Sequence, residues 1–193
     1  MRTKTFIMIL GGLLCCGGLT QAIDFYSNGS IVEGDNFDIV NVWNAATVNM
    51  TGGSVTSFLN LHNNSNFNAS GGEIINHVST FDYSSIVFSG GNSHIDIATN
   101  NTSTIYIYGG LLTAVIAAFD SSAVNVYGYG FTMAPVGDSY DLTGYFQDGT
   151  SFSYYLRGPT TYPLVTLHTV PEPASVAILL LGFLTLRAKK NAA

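Results

Sequence analysis

Cysteine is nearly absent from this sequence. The only two, Cys15 and Cys16, lie in an apolar segment close to the N-terminus. The remainder of the chain therefore has no disulfide bond, no thiolate metal site and no cysteine nucleophile. Its stability must come from packing and hydrogen bonding alone.

Basic residues are also scarce, and they are concentrated at the two ends. Five of the six lysines and arginines lie before residue 5 or after residue 186, whereas Arg157 is the one base between residues 23 and 169, where eleven acidic residues lie. Nucleic acids and anionic membrane surfaces are recognised through basic patches. We therefore expect neither as a partner of the central part of the chain.

The first residues have the layout of a secretory signal peptide. Arg2 and Lys4 precede an apolar run over residues 6–14, and the segment ends in Thr20-Gln21-Ala22, with small residues at the first and third positions. This layout predicts cleavage by signal peptidase after Ala22, so that residues 1–22 are removed during export. The alternative is a membrane anchor, for which the apolar run is short.

The middle of the chain repeats every nineteen residues. Successive units share apolar residues at the start, a glycine pair, apolar residues in the second half and an Asx turn segment, which in most units reads Asx-x-Ser. The glycine pairs are Gly52-Gly53, Gly71-Gly72, Gly90-Gly91 and Gly109-Gly110, and the Asx residues are Asn44, Asn63, Asp82, Asn101 and Asp120. The units start near residues 29, 48, 67, 86, 105 and 124. Such a repeat indicates a fold built by stacking similar units.

Each unit predicts two β-strands and two turns. Apolar positions alternate with others, as in Val48-x-Met50 and Leu59-x-Leu61, which is typical of strands with one buried face. Glycine pairs and Asx residues favour the tight backbone angles of turns. One unit is too small to close a core, whereas stacked units bury a continuous one. We therefore predict an all-β fold, a short parallel β-solenoid of five to six 19-residue coils over residues 23–130.

The repeat ends after Gly128, and the sequence changes character. Residues 131–169 contain two aromatic-rich runs on either side of Asp148-Gly149, a dipeptide that favours a β-hairpin turn. Solenoids need atypical end units because an open strand edge invites association. We predict that residues 131–169 form a β-hairpin cap and that residues 23–28 serve the same purpose at the other end.

The C-terminal segment, residues 170–193, has three consecutive parts. They are the tripeptide Pro171, Glu172 and Pro173, an apolar stretch predicted as a transmembrane helix over residues 174–186, and the basic residues Arg187, Lys189 and Lys190. A helix of this length spans about 20 Å, which is short for a bilayer core of about 30 Å. Together the parts resemble the PEP-CTERM sorting signal. A plain C-terminal membrane anchor is the alternative.

The resemblance implies a destination and a processing step. PEP-CTERM proteins are substrates of exosortases, which are membrane-embedded cysteine protease-transpeptidases of Gram-negative bacteria that make exopolysaccharide. The resemblance thus implies transient insertion into the inner membrane, cleavage at or near the tripeptide, and delivery to the cell surface or a biofilm matrix. Glycine-paired repeats with Asx-x-Ser also look like those of other bacterial surface proteins. Exopolysaccharide is the partner that this setting implies.

Catalytic and metal-binding patterns are weak in the central part. Polysaccharide-active β-helices cluster carboxylates with a base, but we place Arg157 in the cap, away from the repeats. The histidines occupy unrelated repeat positions and are His62, His77, His94 and His168. Asp82 and Asp120 share a repeat position but are two coils apart, about 10 Å, which is too far for one calcium ion. We expect no metal, no cofactor and no catalytic residue.

Aromatic residues recur at one turn position, in Trp43, Phe81 and Phe119. Such rings suit either stacking on sugars or packing of the turns. With the sorting signal, the sequence predicts a non-enzymatic exported surface or extracellular-matrix protein linked to exopolysaccharide or biofilm. A polysaccharide-active β-helix enzyme and a weak carbohydrate-binding module are the alternatives.

Overall fold

The computed structural model describes residues 21–172, and within this range the chain is all-β. Its strands are β1 (Ala22–Phe25), β2 (Gly29–Ile31), β3 (Asn36–Val42), β4 (Thr47–Leu61), β5 (Asn66–Thr80), β6 (Ser85–Thr99), β7 (Thr104–Ala118), β8 (Ala123–Val136), β9 (Ser139–Tyr145), β10 (Ser151–Leu156) and β11 (Val165–Thr169). A short 3-10 helix, Tyr162–Leu164, precedes β11. Among the described residues, no helix has the length and apolar character needed to cross a bilayer.

Several predicted features of the chain ends lie outside the described residues. They are the signal peptide up to residue 20, the apolar stretch 174–186, Pro173, and the basic residues Arg187, Lys189 and Lys190.

Strands β4 to β7 form the repeating body of a parallel β-solenoid. Each is fifteen residues long, and a short turn leads to the next. Neighbouring strands are parallel and offset by one repeat, so that Val48 pairs with Phe67 and Ile86 pairs with Ile105. The predicted parallel β-solenoid is therefore confirmed, with about five turns.

A glycine corner bends each long strand in its middle. The second glycine of each pair has a left-handed φ, which is 76° at Gly110. A Cβ atom on Gly110 would lie 2.1 Å from the carbonyl oxygen of Gly90 in the preceding coil. Coils can stack at this corner because glycine supplies both the backbone conformation and the missing side chain.

Two apolar rows that the repeat predicts form the centre of the core. All of their members are exposed by 2% or less. The row from the first half of each coil is Val48, Phe67, Ile86, Ile105 and Val124, and the row from the second half is Val40, Leu59, Val78, Ile97 and Ile116. Because side chains at paired positions of adjacent strands face the same side, these rows continue through the stack of coils.

Strand β1 is the end of a first, incomplete coil, and β2 and β3 together form the next coil. β1 pairs in parallel with β3, whereas β2 and β3 pair in parallel with the first and second halves of β4. Ala22, the residue before the predicted cleavage point, begins β1 and pairs with Ile39. The carbonyl of Gln21 also accepts a hydrogen bond from the backbone N–H of Asp38 (2.9 Å). Cleavage after Ala22 would shorten β1 at its start and leave residues 23–25 paired.

The C-terminal part of the described chain supplies two further strands in solenoid register. β8 pairs with β7 only in its first half, and its second half pairs with β9, which forms an antiparallel hairpin with β10. The turn of this hairpin contains Asp148 and Gly149. β10 runs parallel to β7, with Ser153 opposite Thr113, where the next coil would otherwise lie. β11 likewise runs parallel to the first half of β8.

Candidate functional site

The Asx residues of the turns form a hydrogen-bonded row along one corner of the solenoid. Each has a left-handed φ between 57° and 62°. From Asn63 onward, each side-chain oxygen accepts a hydrogen bond from the backbone N–H of the Asx residue one coil earlier; Asn101 Oδ1, for example, accepts from Asp82 (3.1 Å). Because the contact needs only an oxygen acceptor, Asn and Asp both fit. The carboxylates of Asp82 and Asp120 therefore bind the backbone of the preceding coil.

Four of the five turns have a serine two residues after the Asx residue, and three of these serines close the turn with a hydrogen bond. The hydroxyl of Ser103 donates to the carbonyl of Asn100 (2.7 Å), and Ser84 and Ser122 make the equivalent bond. Ser65 is also buried, but its hydroxyl has no hydrogen-bond partner among the described residues. The Asx-x-Ser motif is thus a turn motif in this protein.

The aromatic residues at this corner stack on one another along the rod that the stacked coils of the solenoid form. Trp43 lies between Tyr26 and His62, with ring centroids 6.3 and 4.0 Å away, respectively. His62 also stacks on Phe81, with 5.1 Å between centroids. Protein rings therefore lie on both sides of Trp43 and of His62, and the closest contact is between these two rings. Burial lowers the pKa of His62, an effect that the Asp82 carboxylate partly offsets, so the neutral imidazole is favoured.

The three residues predicted to stack on sugars do not form one platform. His62 separates Trp43 from Phe81 in the stack. Asn100 holds the corner position between Phe81 and Phe119, which leaves these two residues two coils apart, about 10 Å. Phe119 is 43% exposed. At this corner a sugar would meet the edges of the stacked rings and the separate ring of Phe119.

A groove lies on the outer face of the sheet that the second halves of the coils form. Its volume is about 440 Å³, and its walls come from β5, β6, β7 and the β9–β10 hairpin. His77 and Asp96 lie on the coil side, Tyr155 and Asp141 on the hairpin side, and Val115 between them. It is the candidate functional site.

Arg157 lies beside this groove and not away from the repeats, so the prediction for this residue was wrong. Its Nη2 atom lies 3.8 Å from Oδ2 of Asp96. Nε2 of His77 lies 3.9 Å from the same oxygen. The reason is that β10 takes the place of a coil next to β7, which brings the residue that follows β10 within reach of β6.

One row of outward-facing side chains runs through the groove. Strand register aligns Phe58, His77, Asp96, Val115, Tyr155 and Asp141 in this order along the rod. The first four residues are nineteen positions apart, so the repeat itself could have revealed that part of the row. The last two interrupt the period, because they come from the hairpin.

The row does not bring its two carboxylates together. Asp96 and Asp141 are three strand steps apart, about 14 Å, whereas the paired carboxylates of glycosidases are about 5–10 Å apart. Within residues 21–172, no group of three or more His, Cys, Asp or Glu side chains is arranged to hold a metal ion. The separation of Asp96 and Asp141 thus exceeds that of the paired carboxylates of glycosidases, whereas the polar side chains of the groove can donate and accept hydrogen bonds.

The residues of the predicted sorting motif that the structure describes follow the last strand directly. The backbone N–H of Val170 donates to the carbonyl of Gly128 (2.8 Å). Pro171 and Glu172 come next, and both are exposed. The motif thus begins where the hydrogen bonding of β11 ends.

Comparisons of the chain with protein-family models, with curated proteins and with solved structures found no match.

Proposed function

We propose that this protein is a non-enzymatic surface or extracellular-matrix protein that a Gram-negative bacterium exports. The observation that carries the proposal is the parallel solenoid, in which strand pairing continues from coil to coil. Repeat bodies of this kind are rigid because each unit is bonded to its neighbours. Short turns also leave few mobile loops for proteases. Both properties suit a protein that persists outside the cell, next to exopolysaccharide.

The proposed route of export uses both ends of the chain. Residues 1–22 direct export and are removed by signal peptidase. Residues 170–193 then act as a PEP-CTERM signal: the apolar stretch 174–186 inserts into the inner membrane, the basic residues stay on the cytoplasmic side, and an exosortase cleaves at or near Pro171-Glu172-Pro173. The exposure of Pro171 and Glu172 beyond β11 supports recognition at this point.

The sorting proposal is tested by two variants of the full chain in its native host. Deletion of residues 170–193 is expected to change where the protein is found, as is deletion of the host exosortase. Replacement of Pro171, Glu172 and Pro173 by alanine, with residues 174–193 retained, separates sorting from simple anchoring. A plain anchor would tolerate that replacement. Mass spectrometry of the secreted protein decides the processing step, and retention of residues 179–193 would contradict it.

Glycan binding is a second candidate function, and the groove is the observation that favours it. The groove is lined by Asp96, His77, Tyr155 and Val115, and Arg157 lies beside it, close to Asp96. An enzyme that acts on polysaccharides would use the same groove. Polysaccharide turnover by the purified protein, abolished by Arg157→Ala, would replace the non-enzymatic proposal with that one.

A further inference from the structure

We propose that the groove over Val115 binds a segment of a neutral glycan that lies along the rod axis. Asp96 in its wall and Arg157 beside it supply hydrogen-bonding groups, and Val115 and Tyr155 form its apolar contact. This inference deepens the proposed function, because an extracellular protein next to exopolysaccharide meets such chains. It concerns a property of the folded body that can be measured apart from export.

The shape of the groove favours an elongated ligand. The part of the row that lines the groove, from His77 to Asp141, crosses five neighbouring strands, which corresponds to about 19 Å along the rod. The residues that line the groove come from β5, β6, β7, β10 and β9 in turn, and within the row the small side chain of Val115 lies between Asp96 and Tyr155. The depression therefore runs across the strands, in the direction in which a polymer would lie along the solenoid.

The polar groups in the wall and beside it retain capacity for further hydrogen bonds. The contacts of Asp96 with Arg157 (3.8 Å) and with His77 (3.9 Å) are longer than the 2.7–3.2 Å of ordinary hydrogen bonds. The side chains of Arg157, His77 and Asp96 are 59%, 50% and 41% exposed, respectively. A sugar hydroxyl both donates and accepts, so it can bridge the carboxylate and the guanidinium group. The pair thus suits neutral hydroxyl groups.

The charge of the protein disfavours an anionic ligand. Between residues 21 and 172 the chain has one arginine, no lysine and twelve acidic residues. A body of this charge repels polyanions, and the one guanidinium group already lies beside Asp96. Asp141 adds a second carboxylate to the groove. We therefore expect neutral glycans to bind in preference to uronic-acid polymers.

The face of the sheet also disfavours an extended peptide as the ligand. Peptides that bind to sheets add to an edge strand, where free backbone N–H and C=O groups are available. The groove lies over β5, β6, β7 and β10, whose backbones pair with one another as neighbouring strands of the sheet. A ligand there meets side chains only, which fits the hydroxyl groups and apolar ring faces of a sugar chain.

The test is calorimetric titration of the full chain, purified in a sugar-free zwitterionic detergent. The probes are hexasaccharides of glucose with β-1,4, β-1,3 or α-1,4 linkages and of mannose, with a galacturonate oligosaccharide and a threonine-rich decapeptide as controls. The groove variants are Tyr155→Ala, Arg157→Gln and Val115→Phe, the last of which fills the depression without a change of charge. The matched controls are Tyr83→Ala, at a residue that is 71% exposed, and Asp138→Asn, in an exposed turn outside the groove.

We expect saturable binding of at least one neutral hexasaccharide, with Kd increased tenfold or more by each groove variant and changed less than twofold by the controls. Circular dichroism identifies any variant that fails to fold, and Val115→Phe and Arg157→Gln then carry the test. Three outcomes would overturn the inference: no neutral probe binds, the galacturonate or the peptide binds instead, or the groove variants bind as the unmodified chain does. None of these outcomes depends on sorting, so the two proposals can fail separately.

Discussion

The Asx row offers a sharp test of how the coils are joined, and Asn101 is the best position for it. Its backbone φ is 57°, its Oδ1 atom accepts from the N–H of Asp82, and its own N–H donates to Asp120. Three substitutions separate the contributions of this residue. Asn101→Ala removes the acceptor and strains the backbone, Asn101→Gly removes only the acceptor, and Asn101→Asp keeps the acceptor but adds a charge.

The expected magnitudes differ enough to be resolved. A left-handed backbone costs an ordinary residue about 1–2 kcal/mol, and a lost hydrogen bond costs about 1 kcal/mol. Asn101→Ala should therefore lower the free energy of unfolding by about 2–3 kcal/mol and Asn101→Gly by about 1 kcal/mol. Asn101→Asp places like charges about 4.8 Å from Asp82 and from Asp120, at about 0.9 kcal/mol per pair in a water-like dielectric.

Urea unfolding of the full chain, followed by circular dichroism at low and high salt, measures these differences. Salt screens exposed charges within a few ångströms at about 1 M, so only Asn101→Asp should recover stability at high salt. Equal losses for Asn101→Ala and Asn101→Gly would refute the contribution of backbone strain. A loss for Asn101→Asp that does not respond to salt would refute the role of the side chain as a simple oxygen acceptor.

Three further predictions concern the glycine corner, the turn serines and a buried tyrosine. Gly110→Ala should prevent folding, because its Cβ would meet a backbone oxygen at 2.1 Å. Gly34→Ala should lower the free energy of unfolding by only about 1–2 kcal/mol, because its φ is left-handed but its Cβ would meet no described atom within 4 Å. Thermal unfolding distinguishes the two variants. Ser65→Ala should be neutral or stabilising, because its buried hydroxyl has no partner among the described residues, but Ser103→Ala should cost about 1 kcal/mol in urea unfolding. Burial raises the pKa of the Tyr154 hydroxyl well above 10, so the stability that this group contributes is present below pH 10 and is lost as the pH rises further. The free energy of unfolding of Tyr154→Phe should therefore fall less steeply at alkaline pH than that of the unmodified chain. An unchanged pH profile would contradict this.

The repeat made much of the solenoid predictable, because a fixed period forces equivalent residues into the same rows. The burial of Val48 and Ile105 follows directly from that period, as does the turn position of Asn101. The period also places His77 and Asp96 in one row, although histidine positions considered singly gave no such indication. Groups of side chains from adjacent coils are therefore found by comparing equivalent positions of successive repeat units.

The aromatic corner shows a limit of the same reasoning. The sequence places Trp43 and Phe81 at equivalent positions, but it does not say which ring faces stay free. In the structure, His62 fills the space between the two rings and covers a face of each. How closely the rings stack depends on the distance between neighbouring coils, and the sequence specifies that distance only through the fold.

The sequence by itself determined the repeat length, the all-β class, the corner residues and the segregation of basic residues to the chain ends. Each of these follows from local preferences that recur at fixed spacing. Only the tertiary structure decided that β10 lies beside β7 in the place of a coil, and hence that Arg157 meets Asp96 across a strand. The physical reason is that an end strand offers free hydrogen-bonding groups to any segment that can reach it. Which segment pairs there depends on the path of the whole hairpin, and no periodic pattern encodes that path.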